Sequence, residues 1–298
     1  MGTFQLRFIA QKKDHGKLLK DFLREHGVSK ALLTDIKFNG GKMIVNGCEK
    51  NVRHILQAGE EVLVLFPDEK RSTSMLPEKV DFKIVYEDEH CLVVNKPPFL
   101  NTIPSREHPT GSLANGLLYY YDQKGENYTV HIVNRLDRDT SGLMLVAKHR
   151  YSHSLFAGEQ RTGTVKRVYN AIVHGIVEKD QGTINAPISR KEGSIIERTV
   201  REDGQEAVTH YRVLERFSDK TLVELHLETG RTHQIRVHMA FIGHPLLGDT
   251  LYGGEKKEID RQALHSRQLS FFHPVFKQRM EFRCKLPSDM EKILKHAH

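Results

Sequence analysis

Asp137 stands in the run Asn134-Arg135-Leu136-Asp137-Arg138-Asp139-Thr140-Ser141-Gly142-Leu143, flanked by two arginines and followed by a Thr-Ser-Gly turn. A carboxylate held between guanidinium groups stays ionised well below neutral pH. Thr140 and Ser141 add hydroxyl donors, and Gly142 lets the backbone turn sharply at positive φ. The segment reads either as a surface ion-pair cluster or as a pre-ionised carboxylate presented on a tight loop. Asp139 is a second carboxylate, expected to serve the loop's own hydrogen bonds.

A second polar cluster lies in Thr221–Met239, where Val223, Leu225 and Leu227 alternate as in a strand. Ile235, His238, Met239 and Ile242 then repeat at helical spacing, with Thr232 able to cap the helix and Gly243 and Pro245 able to stop it. Arg231 falls at the strand-to-helix junction, where side chains point into clefts. His233 and Arg236 come early on a helix whose N-terminal dipole favours anions. The competing reading is a basic surface helix. A third segment, Val165–Val173, reads as a strand with Tyr169, Ala171 and Val173 on one face, and small Ala171 leaves room beside the Tyr169 ring.

These segments need a scaffold, and 298 residues suffice for one large domain or two unequal ones. Pro67 to Pro77 is polar and proline-bracketed, as a linker would be. The predicted organisation is a small domain over residues 1–70, a linker over 71–79 and a large domain over 80–298. In the small unit, Leu18, Leu19, Phe22 and Leu23 mark a helix ending near Gly27. Ser29 caps a second helix bearing Leu32, Leu33 and Ile36, with Lys30 and Lys37 on its polar side. A strand-turn-strand around Asn46-Gly47 and a final strand near Glu61–Phe66 follow. In the large unit, Lys83–Tyr86 and Cys91–Asn95 read as strands joined by an acidic turn. Gly142–Ala147 is apolar on both sides, as a strand covered on both faces would be. Without βαβ periodicity or a Gly-rich phosphate loop, the fold is expected to be α+β around a mixed, largely antiparallel sheet.

A net charge of +7 points to a polyanionic partner. Cys48, Cys91 and Cys284 lie far apart, which argues against a disulfide framework or a structural zinc site. His149 and His153, four residues apart, read as surface histidines rather than metal ligands. No signal-peptide core and no bilayer-spanning apolar run is visible. The expected protein is cytoplasmic, with no cofactor and no metal.

Taken in order, several runs resemble the motifs of the RluA-type pseudouridine synthases: Val93-Val94-Asn95-Lys96-Pro97, Arg135–Leu143, Thr229–Asp249, and Leu264–Leu269 with His273-Pro274. The RluD-like, ribosomal-RNA branch fits best, because the first fifth of the chain resembles the ribosomal-protein-type RNA-binding domain. The resemblance implies a pseudouridine synthase fold and isomerisation of specific uridines in RNA, most plainly large-subunit ribosomal RNA, by a monomer. It implies that Asp137 is the essential aspartate, that Tyr169 stacks on the target base, and that Arg231 pairs with the aspartate. Arg135 would lie beside the flipped-out nucleotide. Lys96, Arg138, Thr140, Ser141, Gly142, Leu143, Thr232, His233, Gln234 and Arg236 would contribute to RNA and substrate binding, with Arg190, Lys191 and Arg198 meeting phosphates and Lys30 and Lys37 serving from the small domain. Asn134 departs from the pattern, standing where many members have histidine. Asp137 could stabilise the charge on the ribose, attack C1′ or remove the C2′ proton. Rival readings are an RNA-binding protein without catalysis and a uracil-releasing glycosidase.

Overall fold

A computed structural model describes residues 4–105 and 108–296. The first sixty-odd residues form β1 (Gln5–Ile9), α1 (Leu19–Glu25), α2 (Lys30–Phe38), β2 (Lys42–Val45), β3 (Cys48–Glu49) and β4 (Glu61–Leu65). The strands make a four-stranded sheet in the order β1-β4-β2-β3. Ser29 Oγ caps α2 by accepting from the Leu32 N–H. Asn46 and Gly47 both take positive φ, the backbone a two-residue hairpin turn requires between β2 and β3. Leu19, Phe22 and Leu23 of α1 and Leu32, Leu33 and Ile36 of α2 pack on the sheet as one core, which Tyr151 of the large unit also enters.

The stretch joining the two units is fastened down. Arg71 donates through Nε to Tyr128 O, through Nη2 to Glu126 O, and through Nη1 to Asp122 at 2.5 Å.

The large unit runs through β5 (Lys83–Glu87), β6 (Cys91–Lys96), α3 (Leu113–Gln123), β7 (His131–Ile132), β8 (Ser141–Ala147), α4 (Arg150–Arg161), β9 (Lys166–His174), β10 (Gln181–Asn185), β11 (Ile188–Arg190), β12 (Arg198–Val200), β13 (Val208–Arg216) and β14 (Lys220–Leu227). It finishes with α5 (Gln234–Phe241), β15 (Leu264–His273), β16 (Gln278–Arg283) and α6 (Ser288–Lys295). Ten strands form one sheet with the path β10-β13-β14-β9-β15-β8-β6-β5, plus β16 on β15 and β7 on β8. Only the β15–β8 pair is parallel among the described ladders of this sheet, so it is mixed and mostly antiparallel. Every residue of β8 is buried, as its unbroken apolar run predicts. The main core sits on the face carrying Tyr169, Ala171 and Val173 of β9 and Val223 and Leu225 of β14, closed by Ile235 and Met239 of α5.

Two expectations fail here. His149 is buried, not on the surface: it caps α4, with Nδ1 accepting the Ser152 N–H at 3.2 Å, and its ring stacks on Phe4 at 3.7 Å. His153 is half-buried, its ring 5.6 Å from that of His131. Thr232 does not cap α5. The cap position falls to His233, in the left-handed region at φ 58°.

Candidate active site

Asp137 lies in the loop feeding β8, and side chains from distant segments fix that loop from beneath. Thr102 Oγ1 donates to Leu136 O at 2.8 Å and Lys96 Nζ to Arg138 O at 2.8 Å. Arg261 Nη1 donates to Asp139 O at 3.1 Å, and Ser266 Oγ to Leu143 O at 3.0 Å. Gln262 Nε2 donates to Thr140 Oγ1, and Ser141 Oγ bonds His265 Nδ1. The carbonyls and hydroxyls on either side of Asp137 are thereby tied, which fixes the backbone that carries its half-buried carboxylate. Gly142 is needed for this route: its φ is 114°, and a Cβ there would lie 2.3 Å from Ser266 O.

This arrangement changes the reading of five residues. Lys96 is fully buried and holds three carbonyls, those of Pro97, Leu100 and Arg138, so it supports the loop and does not meet RNA. Burial pulls its ammonium down to about 7, against the pull of Asp137 and Asp139. Ser141, Gly142 and Leu143 are interior, where hydroxyl, hydrogen and isobutyl group meet the neighbouring strand and core. Thr140 is also buried, although it reaches the pocket wall. Asn134, the departure from the motif, accepts the Leu145 N–H at 2.8 Å through Oδ1, while its buried Nδ2 has no partner among the described residues.

The carboxylate faces a pocket lined by Arg135, Tyr169, Arg167, Arg231, His233 and Arg236, among others. Its cationic partner is Arg236, not Arg231. Arg236 Nη1 lies 3.3 Å from Asp137 Oδ2, while Nε and Nη2 grip Asp249 at 2.7 and 2.8 Å. The buried Asp249 fork aims the third nitrogen of the guanidinium at Asp137. Arg236 is itself buried, which removes it from phosphate contact. Arg231 instead donates through Nε to Glu206 O and stays exposed at the pocket rim. The reason is local backbone. With α5 beginning at Gln234, after the left-handed His233, the third helical residue turns towards the Asp137 loop.

His233 Nε2 stands 3.9 Å from Asp137 Oδ2, and Nδ1 bonds Tyr252 Oη at 2.8 Å. Burial lowers its pKa, with Asp137 opposing. Tyr252 also lies under the Arg236 guanidinium, 5.0 Å from ring centroid to Cζ. Gln234 is a brace: Oε1 accepts from Arg231 N and Thr229 Oγ1, and Nε2 donates to Val208 O and Thr209 Oγ1. Its whole amide is engaged inside the protein, which leaves nothing for RNA. Tyr169 is buried opposite Leu225 and Ser266 in the sheet; burial raises its pKa, and Arg167 beside it opposes the rise.

Arg135 and Arg138 are exposed on the loop, Arg138 Nε facing Asp139 Oδ1 at 3.3 Å. Thr232 is exposed in a neighbouring groove with Arg190, Arg198 and Arg231. Lys191 pairs with Glu197 at 3.0 Å on the β11–β12 hairpin, whose tip exposes Ile195 and Ile196. Lys30 and Lys37 lie on the exposed side of α2, Lys37 over the exposed ring of Phe38 at 4.7 Å. Sequence reasoning overlooked Arg167, Asp249 and Tyr252. Arg167 had a signal: it precedes Tyr169 by two residues, so strand alternation puts both on one face.

Residues 90–241 match the family model described as RNA pseudouridylate synthase. The uncharacterized RNA pseudouridine synthase YjbO of Bacillus subtilis (strain 168) is 55% identical over 93% of this chain and 98% of its own. The ribosomal large subunit pseudouridine synthase D of Pseudomonas aeruginosa is 41% identical over 85% of this chain and 83% of its own. Among solved structures, human RNA pseudouridylate synthase domain containing 4 superposes with a TM-score of 0.59 at 26% identity, over 72% of this chain and 92% of that one. The chain belongs to the RNA pseudouridylate synthase family and has its fold. It is an RNA pseudouridine synthase, an isomerase whose substrate is RNA.

Proposed function

We propose that the protein converts specific uridines of large-subunit ribosomal RNA to pseudouridine, with Asp137 acting on the ribose of a uridine flipped out of its stack. The observation that carries this reading is one carboxylate, fixed at Oδ2 by Arg236 and sharing a pocket with the ring of Tyr169. The similarity to a relative named for the large ribosomal subunit supports the choice of RNA.

Isomerisation needs no change of redox state. The glycosidic bond breaks, the base turns, and C5 replaces N1 on C1′. A fixed carboxylate stabilises the positive charge that develops on the ribose. Burial keeps Tyr169 a neutral phenol, which suits a stacking wall better than a base. Flipping costs a few kcal/mol, less in a loop than in a duplex. Arg135, exposed on the same loop as Asp137, would fill the vacated stack. Arg190, Arg198 and Arg231, grouped in the adjoining groove, would meet flanking phosphates. The small domain would add a second RNA contact through Lys30, Lys37 and the exposed Phe38.

The test is Asp137→Asn against wild type on ribosomal RNA, with nucleosides separated after digestion. Pseudouridine is expected from wild type alone. Free uracil would support the glycosidase, bound but unaltered RNA the binding protein, and equal yields from both proteins would remove Asp137 from the chemistry.

A further inference from the structure

Heterolysis of the N1–C1′ bond creates two charges. C1′ becomes electron-poor, and the bonding pair leaves with uracil as an anion spread over N1, O2 and O4. A carboxylate answers the first charge and repels the second, so the base needs a cation of its own. The pocket's guanidinium groups differ in what they already hold. Arg236 is committed to Asp249 and Asp137 on all three of its nitrogens, and Arg231 gives Nε to Glu206 O. Arg167 reaches the Tyr169 hydroxyl, but its Nε is buried with no hydrogen-bond partner among the described residues, and the side chain lines the pocket. An unmatched buried guanidinium N–H is costly and asks for an acceptor that the free protein does not supply.

The position suits that acceptor. Arg167 projects from β9 on the same face as Tyr169 and lies beside its hydroxyl. Its Nη2 rests against Gly230, where an added Cβ would come within 3.3 Å. The guanidinium is thus set at the edge of the ring on which a base would stack.

We propose that Arg167 is a catalytic residue of this reaction, donating to a carbonyl oxygen of the departing uracil anion and holding the base while it turns. This rests on the reading of the pocket as the site of uridine isomerisation. The balance is simple: the pair that left on N1 stays with the base, the C5–C1′ bond forms from the ring's own electrons, C5 gives up its proton and N1 takes one up. Arg167 keeps all its protons, acting only through hydrogen bonding and charge, as oxyanion-binding groups do.

The experiment compares full-length wild type, Arg167→Met and Arg167→Lys under single-turnover conditions. One substrate is a large-subunit ribosomal RNA transcript, and the other is the same transcript made with 5-fluorouridine. The readout is loss of the N-linked nucleoside. Fluorine at C5 stabilises the departing anion and lessens the need for a cation. Arg167→Met is expected to slow cleavage about 10²-fold on the uridine transcript, and by at least about tenfold less on the fluorinated one, with RNA affinity unchanged. Arg167→Lys should recover part of the rate. An equal deficit on both transcripts, no deficit, or a deficit in affinity alone overturns the proposal. If Arg167→Met does not fold, the lysine variant carries the same comparison between transcripts. Failure of the underlying reading looks different, since Asp137→Asn would then cleave as fast as wild type.

Discussion

Arg236 and Arg231 show what decides a role at the scale of single residues. Both stand in one run of polar residues; spacing put Arg231 at the strand end, and the family resemblance implied it as the partner of Asp137. The choice depends on where α5 begins and on Asp249, thirteen residues further on, which grips two nitrogens of Arg236 and leaves the third to face Asp137. Neither fact is written in a local pattern. Arg236→Met would strand Asp249, only 1% exposed on its side chain, as an unpaired buried charge. The expected loss is about 3–5 kcal/mol in urea unfolding. Arg236→Lys keeps the charge without the planar fork, so it should unfold closer to wild type yet turn over RNA about 10²-fold more slowly. If the lysine variant is as active as wild type, the aiming of Asp137 by this fork is wrong. Gly142→Ala tests the loop itself. Its Cβ would collide with Ser266 O in a backbone region that alanine avoids, and a loss of at least about 1–3 kcal/mol with lowered activity is expected.

Elements were more legible than roles. The alternation in β9, the doubly covered run of β8 and the helical spacing of α5 each depend on short-range periodicity, and each was visible in the sequence. The motif run Arg135–Leu143 was visible too, but its residues divided in a way no pattern showed. Ser141 of that run, and Lys96 of an earlier motif, turned inward because their partners, His265 Nδ1 and Arg138 O, come from segments far along the chain. The β11–β12 hairpin is the element whose contribution to RNA binding can be separated from chemistry. Arg190 is exposed there, and Lys191 makes a surface pair with Glu197. Replacing both with alanine should weaken RNA binding and lower the slope of log K against log salt, by about 0.7 for each phosphate of single-stranded RNA that is no longer neutralised. The first-turnover rate of bound RNA should stay as in wild type. An unchanged salt slope would mean that the hairpin does not touch the backbone.

At the scale of the whole molecule, the two units meet through polar and aromatic contacts centred on α4. Tyr151 enters the small unit's core and donates from Oη to His26 O, Phe4 stacks on His149, and Arg150 bridges to Asp35 at 2.7 Å. Glu69, in the connecting stretch, ties this seam together: it meets His131 Nε2 at 2.5 Å, accepts from Thr129 Oγ1 at 2.7 Å, and accepts the Arg150 N–H at 2.7 Å. Burial opposes its charge, but these partners outweigh burial and hold the carboxyl at about 2, against an ordinary 4.5. A carboxylate whose folded pKa is depressed stabilises the protein fully above its unfolded value and loses that contribution as pH falls through the folded one. The window here is therefore pH 4.5 down to about 2, and the full contribution is roughly 3 kcal/mol. Glu69→Gln removes the titrating group while keeping its size. The gap in unfolding free energy between wild type and Glu69→Gln should be roughly 3 kcal/mol at pH 6 and shrink to roughly 1 kcal/mol at pH 3. Urea titrations at the two pH values measure it, and a gap that does not move with pH would show that Glu69 holds the seam by shape and not by charge.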